Sequence, residues 1–133
     1  MKALSVMKKP KEVLTAWLNA VNNGGIENIL AFYNENAVLI PTFSNRVLDN
    51  HAKIRNYFEQ LKTRNRLSVE LHEKFINVQK TTENIYALSG IYCWRYDVDG
   101  ELLSFEARFS FVLDLSLTSP IIHHHSSQIP RML

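Results

Sequence analysis

Along the first half of the chain apolar residues recur with a helical period, and along the second half with a period of two. Val13, Leu14, Trp17, Leu18 and Val21 form one face of an amphipathic helix that Pro10 opens at its favoured first turn. Asn22-Asn23-Gly24-Gly25 ends it with residues that tolerate positive φ. A second, shorter helix follows, with Ile26, Ile29, Leu30 and Tyr33 as its stripe, and so tight a turn predicts that the two helices pack together. Ala37-Val38-Leu39-Ile40 predicts a short buried strand stopped by Pro41, and residues 42–48 a loop. Asp49 or Asn50 can cap a third helix whose face is Ile54, Tyr57, Phe58 and Leu61, ending in the polar run Lys62-Thr63-Arg64-Asn65.

From Arg66 onward Leu67, Val69 and Leu71 alternate with Ser68, Glu70 and His72. The apolar phase then slips through Phe75, Ile76 and Val78, which predicts a bulge in one long strand, and bulges bend sheets. Thr81-Thr82-Glu83-Asn84 turns the chain into a strand over 85–98. Asp99-Gly100 is a strong hairpin signal, because a type I′ turn needs positive φ at both positions. A return strand over 101–114, a turn at Leu117-Thr118-Ser119-Pro120 and a last strand complete the order. The expectation is an α+β fold with three N-terminal helices packed on a strongly curved antiparallel sheet, enclosing a cone-shaped cavity. One domain spans residues 1–133, with its core at about 11–130.

The two-residue turn fixes a register. Trp94 opposes Phe105, Tyr92 opposes Ala107, Gly90 opposes Phe109 and Leu88 opposes Phe111 on one strongly aromatic face. The other face pairs Cys93 with Glu106, Ile91 with Arg108 and Ser89 with Ser110. The helices cover one face only. An aromatic face left uncovered marks a protein interface, so the expected assembly is at least a homodimer packed through its sheet.

Composition narrows the function classes. The 133 residues are 46% hydrophobic and 21% charged, ordinary for a globular domain, and the net charge of +2 is spread out rather than gathered for nucleic acid. The single cysteine, Cys93, excludes an internal disulfide, fits a reducing compartment and reads as a small buried hydrophobe. Residues 1–7 are too short for a signal segment, and no run reaches transmembrane length. The expected location is cytoplasmic, without membrane or nucleic-acid partners.

Three stretches carry a resemblance. They are Ala37-Val38-Leu39-Ile40-Pro41-Thr42-Phe43-Ser44-Asn45, Ile54-Arg55-Asn56-Tyr57-Phe58, and Glu106-Ala107-Arg108-Phe109-Ser110-Phe111-Val112 with His123-His124-His125-Ser126-Ser127-Gln128-Ile129-Pro130. Together they resemble the calcium/calmodulin-dependent protein kinase II association-domain family in its free-standing bacterial form, within the nuclear transport factor 2-like (SnoaL-like) superfamily. The resemblance implies the cone fold, assembly into oligomers and a deep pocket. Carried over by motif, Arg108 matches a pocket arginine, and His123 and His125 match the two histidines of the hub's His-x-His run. Ser126 stands where the hub has an arginine, Lys62 where it has a tryptophan and Ile54 where it has a histidine, so the anion site is only partly present. No kinase catalytic motif is present.

The candidate ligand-binding residues are therefore Arg108, His123, His125, Tyr57, Tyr33 and Trp17. Arg108 offers a fork of donors suited to a carboxylate, against the plainer reading of an ion pair with Glu106. His123 and His125 share a face and lack a third ligand, so no metal and no cofactor are expected. Tyr33, Tyr57 and Trp17 fit plain core, with the Tyr57 hydroxyl the best candidate to point inward. The expected function is a homo-oligomer that binds a small acidic or aromatic molecule in the cone without catalysis. The alternative is a SnoaL-like enzyme of isomerase, hydratase or cyclase type, with His123 or His125 carrying the proton.

Overall fold

The computed structural model describes residues 9–130, so the N-terminal stretch weighed above for targeting lies outside the described residues. Helix α1 (Pro10–Asn23) starts with Glu12 accepting from the Lys9 amide at 3.0 Å and buries Val13, Leu14, Trp17, Ala20 and Val21. Helix α2 (Ile26–Leu30) is barely more than one turn. Tyr33, placed by periodicity on that helix, instead begins strand β1 (Tyr33–Ile40). Helix α3 (His51–Leu61) is capped by Asn50, whose side chain accepts from the Lys53 amide at 2.9 Å. Asp49 pairs with Lys53 at 2.8 Å.

The sheet order is β1-β6-β5-β4-β2, with β3 also paired to β4. The expected bulge is a full break: β2 (Ser68–Leu71) and β3 (Asn77–Lys80) flank a 3₁₀ turn, Glu73–Phe75. Both pair antiparallel with β4 (Ile85–Val98). A Cβ on Gly90 of β4 would meet the Phe75 carbonyl at 2.5 Å and the Phe109 ring at 2.9 Å, so only glycine lets this turn approach the sheet. The β4–β5 hairpin (β5 is Glu101–Asp114) has the register read from Asp99-Gly100, with φ of 51° and 84° at the turn. β6 (Ile121–Gln128) runs antiparallel to β5 and parallel to β1.

Helix α1 is docked on the edge strand by one amide. Asn22 donates to the Val69 carbonyl and accepts from the Val69 amide, both at 2.8 Å. Lys62 Nζ donates to the Val21 carbonyl at 2.7 Å, near the end of α1, where its charge suits the helix dipole. His51 bonds the Tyr33 carbonyl at 2.7 Å and ties α3 to β1.

Which face the helices cover corrects an expectation. Tyr92, Trp94, Ala107, Phe109 and Phe111 lie buried in one cluster with Trp17, Ile54 and Phe58 of the helices. The aromatic face is thus the inner one and is not an uncovered interface. At about 25 cal/mol per Å² of apolar surface removed from water, covering these rings stabilises the fold far more than covering the mixed outer face. The outer face carries Ile91 and Val112, half-buried, with the exposed Glu106, Arg108 and Ser110. A His72–Glu106 contact at 2.7 Å links the residue just after β2 to β5.

Candidate functional site

Strand parity decides the site. β5 sends Ala107, Phe109 and Phe111 inward, so Arg108 between them projects from the outer face and is exposed. On β6, His124 lies opposite Phe111 and is buried, while His123 is half-buried and His125 exposed. The expected anchor of Arg108, His123 and His125 therefore does not line the cone. The expected carrier histidines of the enzyme reading face away from it as well. Trp17 and Tyr33 are fully buried inside, and Tyr57 is half-buried beside them, its hydroxyl accepting from the Phe43 amide at 3.4 Å.

What does converge inside is a hydrogen-bonded chain centred on His124. Trp17 Nε1 donates to the Tyr33 hydroxyl at 3.1 Å. An indole nitrogen can only donate, so the Tyr33 proton is left for His124 Nδ1, 2.8 Å away. Nδ1 is then the bare nitrogen, and Nε2–H donates to the Tyr92 hydroxyl at 3.1 Å. The His124 ring stacks on Phe111 at 3.9 Å between centroids and meets the edge of Trp17 at 5.3 Å. Burial pushes the His124 pKa down to about 3, with His123 and His125 adding to the effect, so the imidazole is neutral at ordinary pH. Burial likewise raises the phenols of Tyr33, Tyr57 and Tyr92 above their usual value.

The chain continues to the cone's rim. Thr42 and Ser126 bond to each other through their hydroxyls. The Ser126 and Thr42 hydroxyls and the Trp94 indole lie close to the Tyr92 hydroxyl and partly offset the burial that raises its phenol. Trp94 Nε1 itself is buried and, among the described residues, reaches full hydrogen-bond geometry with no group. Phe43, on the loop after β1, packs edge-on against Trp94, Tyr96 and Phe105 at 5.4–6.0 Å. Outside this point lies a cleft of about 290 Å³ between that loop and the end of β6. Thr42, Ser44, Arg46, Ser126 and Gln128 are among its walls. The cleft exists because β1 stops at Ile40, before Pro41, and β6 runs on past it.

His124, Tyr92, Trp94, Thr42 and Ser126 were not singled out from the sequence as site residues. The signal was partly there, since the hairpin register already put Tyr92 and Trp94 on the aromatic face. Among the described residues, the only buried polar or charged ones are His124 and Ser126, and no three His, Cys, Asp or Glu side chains gather as metal ligands.

The calcium/calmodulin dependent protein kinase II association domain model matches residues 9–130. The chain belongs to that family. A solved structure from Xanthomonas campestris, named for the same domain, is 25% identical with a TM-score of 0.81, covering 99% of both chains. A ketosteroid isomerase-like protein from Erwinia carotovora atroseptica shares 16% identity over 98% of both chains, with a TM-score of 0.73. The beta subunit of a benzoate 1,2-dioxygenase from Burkholderia mallei shares 13% over 92% of this chain and 93% of its own, with a TM-score of 0.75. Together with an uncharacterised cystatin-like protein from Caulobacter vibrioides (14%, TM-score 0.74, 90% and 87% covered), these place the association-domain chain in the nuclear transport factor 2-like, cystatin-like fold. No curated protein matches it. Among the described residues no helix is long and apolar enough to cross a membrane.

Proposed function

We propose that this association-domain protein is a homo-oligomer that takes a small aromatic molecule toward the cone through the cleft beside β6, and binds it without catalysis. The observation that carries the reading is His124. It is the inward histidine of the triplet, both its ring nitrogens are engaged, and its pKa of about 3 keeps it from taking a proton near neutrality. Among the described residues no carboxylate is buried beside it to act as a base. The aromatic half of the expected ligand chemistry fits an inner wall of Trp17, Tyr92, Trp94 and Phe111. The acidic half loses its support, because Arg108 stands outside.

We assign assembly to the outer face of the sheet, around the half-buried Ile91 and Val112, in place of the aromatic face expected first. Family membership and the likeness to a dioxygenase beta subunit support an oligomer. Sedimentation of the wild type and Ile91→Asp at micromolar concentration tests it. A wild type that sediments as an oligomer and a variant that shifts to monomer is the expected result; a stable wild-type monomer refutes the assembly. Thermal shift against neutral and acidic aromatic compounds tests binding, since a ligand raises the melting temperature only by preferring the folded state.

A further inference from the structure

On the outer face of the sheet the side chains fall into rows that cross the strands. One row runs His72, Ile91, Arg108: Ile91 is paired with Arg108, and the His72 amide donates to the Ile91 carbonyl at 3.0 Å. The next row on the same face runs Glu70, Cys93, Glu106, each paired with its neighbour. Basic residues thus flank the apolar centre of one row, and acids flank that of the other. Their charges are poorly matched within the chain. Among the described residues the exposed Arg108 guanidinium makes no ion pair or hydrogen bond. Glu106 spends Oε2 on His72, and its Oε1 bonds no described group. Glu70 reaches Arg95 only at 3.8 Å.

We infer that a second copy of this chain packs on this face about a two-fold axis crossing the strands over Ala107, so that Arg108 of each copy meets Glu106 of the other and His72 of each meets Glu70. The inference rests on the outer-face assembly proposed above and adds its register. A two-fold axis lying between two facing sheets and perpendicular to β5 runs the two β5 strands antiparallel and exchanges positions equidistant from the axis. Residues 106 and 108 each stand about 3.3 Å along the strand from Ala107, so the acid row of one copy comes to lie on the basic row of the other. Facing sheets cross at about 30°, which displaces these two rows least because they lie next to the axis. An axis parallel to β5 instead stacks Arg108 on Arg108 and Glu106 on Glu106. Sliding the crossing axis by one residue does the same for one of them. Ile91 stands at the middle of this contact, and Cys93, short and already buried, leaves room for it between the two acids. Exposed ion pairs add little affinity whereas like charges across an interface are costly, so the charges select the register and the apolar Ile91 and Val112 hold the copies together.

The test is a charge swap. Dissociation constants are measured by sedimentation for the wild type, Glu106→Arg, Arg108→Glu, the double variant Glu106→Arg/Arg108→Glu, and Lys11→Glu. Each single reversal places like charges together on both sides of the axis and is expected to raise the dissociation constant at least about tenfold. The double variant restores opposite charges across the axis and is expected to return to within about threefold of the wild type. That recovery also excludes misfolding as the cause of the single losses. Lys11→Glu makes the same change of net charge as Arg108→Glu but at an exposed position on α1, and is expected to leave the constant within about twofold. Single reversals that leave the assembly intact, a double variant as weak as either single one, or an equal loss in Lys11→Glu overturns the register. If Ile91→Asp still dissociates the protein in that case, the outer-face assembly stands without it. A wild type that stays monomeric overturns both.

Discussion

His124 and its neighbours His123 and His125 are the same residue type on consecutive positions, yet they live in different solvents. His124 is 2% exposed, stacked on Phe111 and bonded on both nitrogens. His125 is exposed and His123 half-buried, on a face shared with Arg108 and Ser110. One step along a strand moves a side chain from a dry aromatic interior to a wet polar wall. The two faces therefore obey different rules: inside, an unmatched polar atom is costly, and outside, water supplies what the protein does not.

That contrast can be broken most severely from within. Phe111→Ala removes the ring beneath His124 and is expected to cost about 3–5 kcal/mol in urea denaturation; a loss below 1 kcal/mol would show that the inner face is not the core. His124→Ala, which strands the Tyr33 and Tyr92 hydroxyls, is expected to cost about 2–4 kcal/mol. His123→Ala and His125→Ala are expected to stay within about 1 kcal/mol.

The pH dependence sharpens the same point. The His124 pKa is depressed in the folded protein to about 3 and returns to its ordinary 6.5 on unfolding, so below 6.5 the unfolded chain binds one more proton. Its contribution is complete above pH 6.5 and is lost as pH falls from there toward 3, at about 1.4 kcal/mol per unit. Subtracting the stability–pH curve of His124→Phe from that of the wild type should isolate this slope. Parallel curves between pH 6 and 4 would mean that the imidazole is not held neutral. Asn22→Ala, which cuts both bonds to Val69, should cost about 1–3 kcal/mol by thermal unfolding. Smallest of all, Arg108→Ala should change the stability of the monomer by less than about 0.5 kcal/mol.

Much of the fold was legible locally. Pro10, the Asn22–Gly25 turn and the Asn50 cap punctuate helices through their own backbone chemistry, and Asp99-Gly100 set the whole β4–β5 register. Tyr33 misled because an apolar residue at helical spacing continues a stripe on paper. Its hydroxyl and backbone are claimed by His124 and His51, distant in sequence. The phase slip near Phe75 was visible, but its resolution into a turn against Gly90 depends on a contact across the sheet.

By itself the sequence determined the α+β order, the family and the partition of residues between two sheet faces, because alternation and turn chemistry act between near neighbours. Which face turned inward was decided only by the tertiary structure. Both faces carry apolar groups, and the choice belongs to the larger aromatic area that Trp17 and the other helix residues can cover. That one choice put Arg108 outside and made His124, with Tyr92, Trp94, Thr42 and Ser126, the chemistry of the interior.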